Sequence, residues 1–200
     1  MAQERTFVML KPEVAKRQLV GEIIGRLEKT GLKLVALKMV RPTPEMVAKH
    51  YPSDEGWLTR VGHKTINGYA KLGIDLVKEM GTDNPLEIGK TIKNWLVKYI
   101  SSGPVVAMVW EGNRARDIVR KLAGETEPLS AGPGSIRGAV SFDSFEHANR
   151  QFRALFNIIH ASETEEEAKN EIALWFGESE LQDYKTGTEL VWESVMEKMK

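Results

Sequence analysis

The sequence predicts an α+β domain: a four-stranded antiparallel sheet with helices on one face, in the order βαββαβ, and a helical hairpin inserted midway. Three observations predict it. Residues 6–10 and 105–110 are short, nearly continuous apolar runs with the look of buried strands. Each is followed by a segment whose apolar residues recur at helical spacing. Residues 32–40 and 157–160 supply the remaining strand patterns.

The elements follow in order. Lys11-Pro12 ends the first strand, because proline cannot donate to a ladder. In 14–29, Val20, Ile23, Ile24 and Leu27 line one helix face, and Gly31 is a stop signal. Residues 32–40 alternate, with Leu32, Leu34, Ala36 and Met39 set against Lys33 and Lys38. Pro44 opens a short helix to His50. Between 52 and 90, six glycines interrupt weakly amphipathic sequence. Ile66, Tyr69, Gly73, Leu76, Val77 and Met80 fit one helix face. After the turn signal Asp83-Asn84-Pro85, Ile88, Ile92, Trp95, Leu96, Tyr99 and Ile100 fit another. The faces are too small to form a core alone, so the pair is a hairpin within the domain. Residues 114–123 read as a helix stopped by Gly124, and 124–138 as a loop rich in Gly, Pro and Ser. Phe145, Ala148, Phe152 and Leu155 suggest another helical face. Thr164 and Glu167 match a capping box for a helix to Phe176, and residues 189–199 form an amphipathic helix in the tail 178–200.

The chain of 200 residues is long enough for one domain with a substantial core. Lys plus Arg and Asp plus Glu number 28 each, so the net charge is zero, which argues against binding nucleic acid by bulk charge. Cysteine is absent, which removes disulfides and thiolate metal sites. The polar start and the lack of a membrane-length apolar run lead us to expect a cytoplasmic protein.

His160 ends an apolar strand pattern, two residues before Ser162 and just ahead of a helix that brings back Glu171. Such a histidine is a candidate nucleophile or general base, although a lone histidine is more often structural. Lys11, Tyr51, Arg120, Thr126, Arg137, Asn157 and His160 fall at strand ends or in the long loop, where they can converge. Their types suit a phosphate ester: a point charge, two planar forks and a hydroxyl donor for phosphate oxygens, and an amide for sugar hydroxyls. Solvated or locally bonded roles are the alternative for each. No P-loop pattern is present, and no His/Asp/Glu cluster has metal-ligand spacing in the chain.

Six segments, taken in order, are similar to the nucleoside diphosphate kinase family: 5–12 (RTFVMLKP), 19–23 (LVGEI), 102–106 (SGPVV), 124–128 (GETEP), 133–138 (PGSIRG) and 157–162 (NIIHAS). The resemblance implies a ferredoxin-like domain in a homo-oligomer, a hexamer or tetramer. It also implies a ping-pong transfer of the γ-phosphate of a nucleoside triphosphate to a nucleoside diphosphate. By position His160 is the phosphorylated nucleophile. Lys11, Tyr51, Arg120, Thr126 and Arg137 hold phosphates, Lys11 and Asn157 meet ribose, and Ser162 and Glu171 orient the imidazole. Mg²⁺ arrives with the nucleotide, with Glu163 reaching it through water; no protein ligand is fixed. The chain departs from the family at residues 52–90 and 139–156, read as insertions in a single domain 1–200. The base-stacking position falls on Ile92, and Glu163 stands where aspartate is common. The rival readings are a nucleotide-binding module without catalysis and an assembly subunit.

Overall fold

The computed structural model describes residues 3–199; Met1 and Ala2, which open the polar start, and Lys200, the last residue of the predicted tail, lie outside the described residues. Strands β1 (Glu4–Leu10), β2 (Lys33–Val40), β3 (Val105–Gly112) and β4 (Ile159–Ala161) form one antiparallel sheet in the order β2-β3-β1-β4. The central strands alternate, and both of their faces are buried. Val8, Leu10, Val106, Met108 and Trp110 point to one side; Phe7, Met9, Val105, Ala107 and Val109 point to the other.

The first side is covered by α1 (Pro12–Lys16), α2 (Val20–Glu28) and α7 (Ala115–Ala123), the helices the βαββαβ order places on one face. The second side is not left open. Helices α3 (Pro44–His50), α6 (Pro85–Ser101) and α10 (Glu165–Trp175) cover it, burying Val47, Ile100 and Trp175 against the strands. An unbroken apolar run has two apolar faces, and water excluded from both requires two layers of helix.

Several element boundaries differ from expectation. The predicted helix 14–29 is broken at Gln18, whose φ of 57° is left-handed, so α1 and α2 are separate. A register shift between Leu34 and Ala36 turns Val35 and Ala36 to the same side, and Lys33, which the alternation had placed outside, is buried. Lys33 is accommodated by a 2.7 Å ion pair with Glu111. The face drawn from Ile66 to Met80 is two helices, α4 (Glu55–Lys71) and α5 (Leu76–Met80), parted where Gly73 has φ 64°. The loop 124–138 is not structureless: it holds a 3-10 turn at Pro128–Ser130 and the start of α8 (Ile136–Val140). Helix α9 stops at Phe145–Arg150, and Phe152 and Phe145 are exposed.

The hairpin itself is present. α4 and α6 cross so closely that a Cβ on Gly62 would stand 1.9 Å from the Pro85 carbonyl oxygen, and one on Gly89 would stand 2.1 Å from that of Leu58. Glycine at both crossing points lets backbone lie on backbone. The hairpin then docks on α9, where the buried Tyr69 hydroxyl donates to the Asn149 carbonyl at 3.1 Å. The tail forms α11 (Gly187–Lys198), closed by a Thr186/Glu189 capping box; none of its residues is buried.

Candidate active site

The site is built on a strained turn. Ile158, a β-branched residue, has φ 57°, and Ile159 N–H donates across it to the Asn157 carbonyl at 2.6 Å. This three-residue turn is costly and persists only where its surroundings hold it. Lys11 N–H donates to Ile158 O at 2.8 Å, Ile158 N–H donates to Glu13 Oε1 at 2.9 Å, and Arg137 Nε donates to Asn157 O at 3.2 Å. The turn delivers His160 to the end of the sheet, opposite Met9 on β1.

His160 stands against a buried acid. Its Nε2 lies 2.7 Å from Glu171 Oε1, close enough to share a proton, though tilted from a straight hydrogen bond. Free sites often show such loose catalytic geometry. Glu171 Oε2 accepts from Ser162 Oγ at 2.6 Å, so Ser162 acts on the imidazole through the carboxylate. Burial pushes the Glu171 carboxyl up and the His160 imidazolium down, while the hydrogen bond from Ser162 favours the Glu171 carboxylate. Lys11, Arg137 and Arg120 add positive charge that also disfavours the imidazolium, while Glu167 opposes them. The imidazole is therefore neutral and keeps a lone pair for attack.

The expected phosphate groups are arranged around it. Lys11 is buried and donates to Asn157 Oδ1; burial lowers its ammonium to about 7. Asn157 Nδ2 donates to the Thr126 carbonyl at 2.9 Å, so both ends of that amide have a partner inside the protein. Arg137 is buried as well. Its guanidinium donates to four backbone carbonyls, those of Asn157, Gly124, Glu125 and Ile159. One N–H on Nη2 remains of its five, so Arg137 is more a clasp of the loop than a free fork. Arg120 is half-exposed, 3.6 Å from the exposed Glu163 carboxylate. The Thr126 side chain is exposed, Tyr51 lies edge-on to His50 with ring centroids 4.9 Å apart, and Ile92 is half-buried on α6.

The sequence profile of the nucleoside diphosphate kinase family matches residues 4–58 and 87–181, well over half of the chain. The chain belongs to this family. A nucleoside diphosphate kinase from Pyrobaculum aerophilum is 52% identical over 181 residues, covering 90% of this chain and 99% of its own. The crystal structure of an NDP kinase from the same organism has a TM-score of 0.90 at 50% identity, covering 91% of this chain and all of that one. The nucleoside diphosphate kinase of Borrelia burgdorferi, solved as a transition-state mimic with vanadate and ADP, has a TM-score of 0.76 at 34% identity, covering 94% of this chain and 96% of that one. The family match skips residues 59–86, which lie within the expected insertion 52–90.

Sequence reasoning overlooked four residues of the kinase-like site: Glu13 and Tyr99, which hydrogen-bond each other beside the strained turn, and His50 and Trp175, which pack behind His160. Glu13 follows Lys-Pro directly, and His50 precedes Tyr51, so proximity to predicted residues was the available signal. Linear spacing also missed a spatial group. Ligand atoms of His50, His160 and Glu171 lie within 4.8 Å of one another. Its buried nitrogens do not suit Mg²⁺, which prefers oxygen and keeps water. No helix among the described residues is long and apolar enough to cross a membrane.

Proposed function

We propose that the chain is a nucleoside diphosphate kinase that carries phosphate on His160. The observation that carries this reading is the neutral imidazole with Nε2 turned to Glu171, which leaves Nδ1 as the attacking nitrogen. In the first half-reaction an N–P bond forms at Nδ1 and the bond from phosphorus to the β-phosphate oxygen breaks. Its electron pair leaves with the nucleoside diphosphate. Positive charge grows on the ring, and Glu171, held by Ser162, neutralises it. The second half-reaction reverses these steps toward another diphosphate. Phosphoryl transfer needs positioning and charge more than covalent help. Lys11, Arg120 and the remaining N–H of Arg137 supply charge, with Tyr51 and Thr126 as hydroxyl donors and Asn157 aligning Lys11.

Mg²⁺ bound with the nucleotide would neutralise the phosphate oxygens; Glu163, exposed beside Arg120, is the carboxylate placed to meet its water shell. The base would lie toward Ile92. We read residues 1–200 as one domain, with 52–90 and 139–156 as elaborations, working as a hexamer or tetramer in the cytoplasm.

The test is incubation with γ-labelled nucleotide and Mg²⁺. An acid-labile, base-stable label that is discharged by a nucleoside diphosphate and absent from His160→Ala is expected. An unlabelled wild-type chain would rule the reading out and favour a binding module.

A further inference from the structure

Glu171 faces two imidazoles, and the reaction above uses one of them. His50 ends α3 with its side chain fully buried. Its ring stands edge-on to His160, with centroids 4.6 Å apart and planes at 78°. His50 Nδ1 lies 3.4 Å from Glu171 Oε1, the same oxygen that lies 2.7 Å from His160 Nε2. Both rings can therefore offer a proton to one acceptor.

The competition is decided on the far side of His50. The indole N–H of Trp175, a group that can only donate, donates to His50 Nδ1 at 3.3 Å. A neutral imidazole has one lone pair at that nitrogen, and the indole occupies it. The proton of His50 then sits on Nε2, a buried atom with no partner among the described residues. A core N–H without an acceptor is costly, so its retention in the fold calls for a reason.

We propose that Trp175 and His50 form a tautomer lock on the nucleophile. With His50 Nδ1 unable to donate, Glu171 Oε1 has a single imidazole N–H to accept, that of His160 Nε2. His160 is thereby held with its lone pair on Nδ1. Without the indole N–H, His50 can carry its proton on Nδ1 and satisfy Glu171. His160 is then free to place its own proton on the attacking nitrogen. Both are positioning residues that act through Glu171. The consequence for catalysis rests on the function proposed above; the tautomers do not.

The experiment is nitrogen-resolved NMR of the full chain labelled in histidine, recorded without nucleotide, together with steady-state kinetics. The wild type should show His50 and His160 both protonated on Nε2. Trp175→Phe should shift His160 toward the Nδ1–H form and lower kcat about tenfold with nucleotide KM unchanged, since a wrong tautomer disables an imidazole whose geometry is intact. Adding His50→Phe removes the competitor, so the double variant should regain the Nε2–H form and most of kcat. If the two residues only filled space, removing His50 as well would restore neither the tautomer nor kcat. Finding His50 protonated on Nδ1 in the wild type would overturn the lock, and this needs no variant to fold. An unchanged His160 tautomer in Trp175→Phe, or no recovery in the double variant, would overturn it too. Correct tautomers in a chain that forms no phosphohistidine would instead overturn the function and leave the lock standing.

Discussion

The ammonium of Lys11 donates to the side-chain oxygen of Asn157, 146 positions further along the chain. Two groups expected to meet a nucleotide thus meet each other, at the junction of β1 and the strained turn before β4. The contact ties the end of the chain's first strand to the turn that precedes the strand bearing His160.

Lys11 makes stability depend on pH. Burial lowers its value from 10.5 to about 7, so between those limits the unfolded chain binds the proton that the folded chain releases. Stability therefore rises with pH across that window: the contribution is complete above 10.5 and is lost as the pH falls through about 7. Urea unfolding without nucleotide at several pH values should show this slope, and Lys11→Met should flatten it. A phosphate beside Lys11 restores the charged form, so nucleotide binding near pH 8 should take up protons in calorimetry. Equal slopes in both proteins would refute the assignment.

The two arginines should separate on conservative substitution. Arg137 holds four carbonyls with a planar fork, and a lysine cannot span them. Arg137→Lys should lower unfolding free energy by about 2–4 kcal/mol, because buried carbonyls lose charged donors. Arg120→Lys, at a half-exposed position, should stay within about 0.5 kcal/mol of the parent while raising the KM for nucleotide. Denaturant curves beside kinetics decide it; equal stability of the two variants would count against the clasp.

The crossing of α4 and α6 should not tolerate a methyl group. Gly62→Ala and Gly89→Ala each drive a Cβ into the facing backbone, so each should cost about 1–3 kcal/mol, the usual penalty of overpacking. Once one substitution has pushed the helices apart, the second meets more room. The double variant should therefore lose less than the two single losses combined. Full additivity in thermal unfolding would mean the two glycines are not coupled.

Strand positions were legible because apolar runs such as Phe7–Leu10 must be buried wherever they go. The nucleophile candidate and its cations were legible because charged groups at strand ends have few places to go. The environment of the histidine was not legible. His50, Trp175 and Tyr99 reach the site across long stretches of chain, and their roles come from contacts no local pattern encodes. The bulge at Leu34 and the left-handed residues Gln18 and Phe152 were hidden for a related reason: side chains that prefer ordinary backbone angles are overruled there by tertiary packing. Helix α8 escaped notice because Gly, Pro and Ser dominate its approach, although Ser135 then caps it by accepting from Gly138 N–H.

The hydrogen bond from Tyr69 to Asn149 has a consequence for descent. The phenol of Tyr69 is buried on the hairpin and its acceptor lies on α9, while the Asn149 carbonyl also accepts from Phe152 N–H at 3.1 Å. A lineage that trimmed the α9 segment would strand the phenol of Tyr69, whereas one that deleted the hairpin would leave the Asn149 carbonyl bonded to Phe152 N–H. The buried phenol at Tyr69 is therefore expected only where the α9 segment is kept.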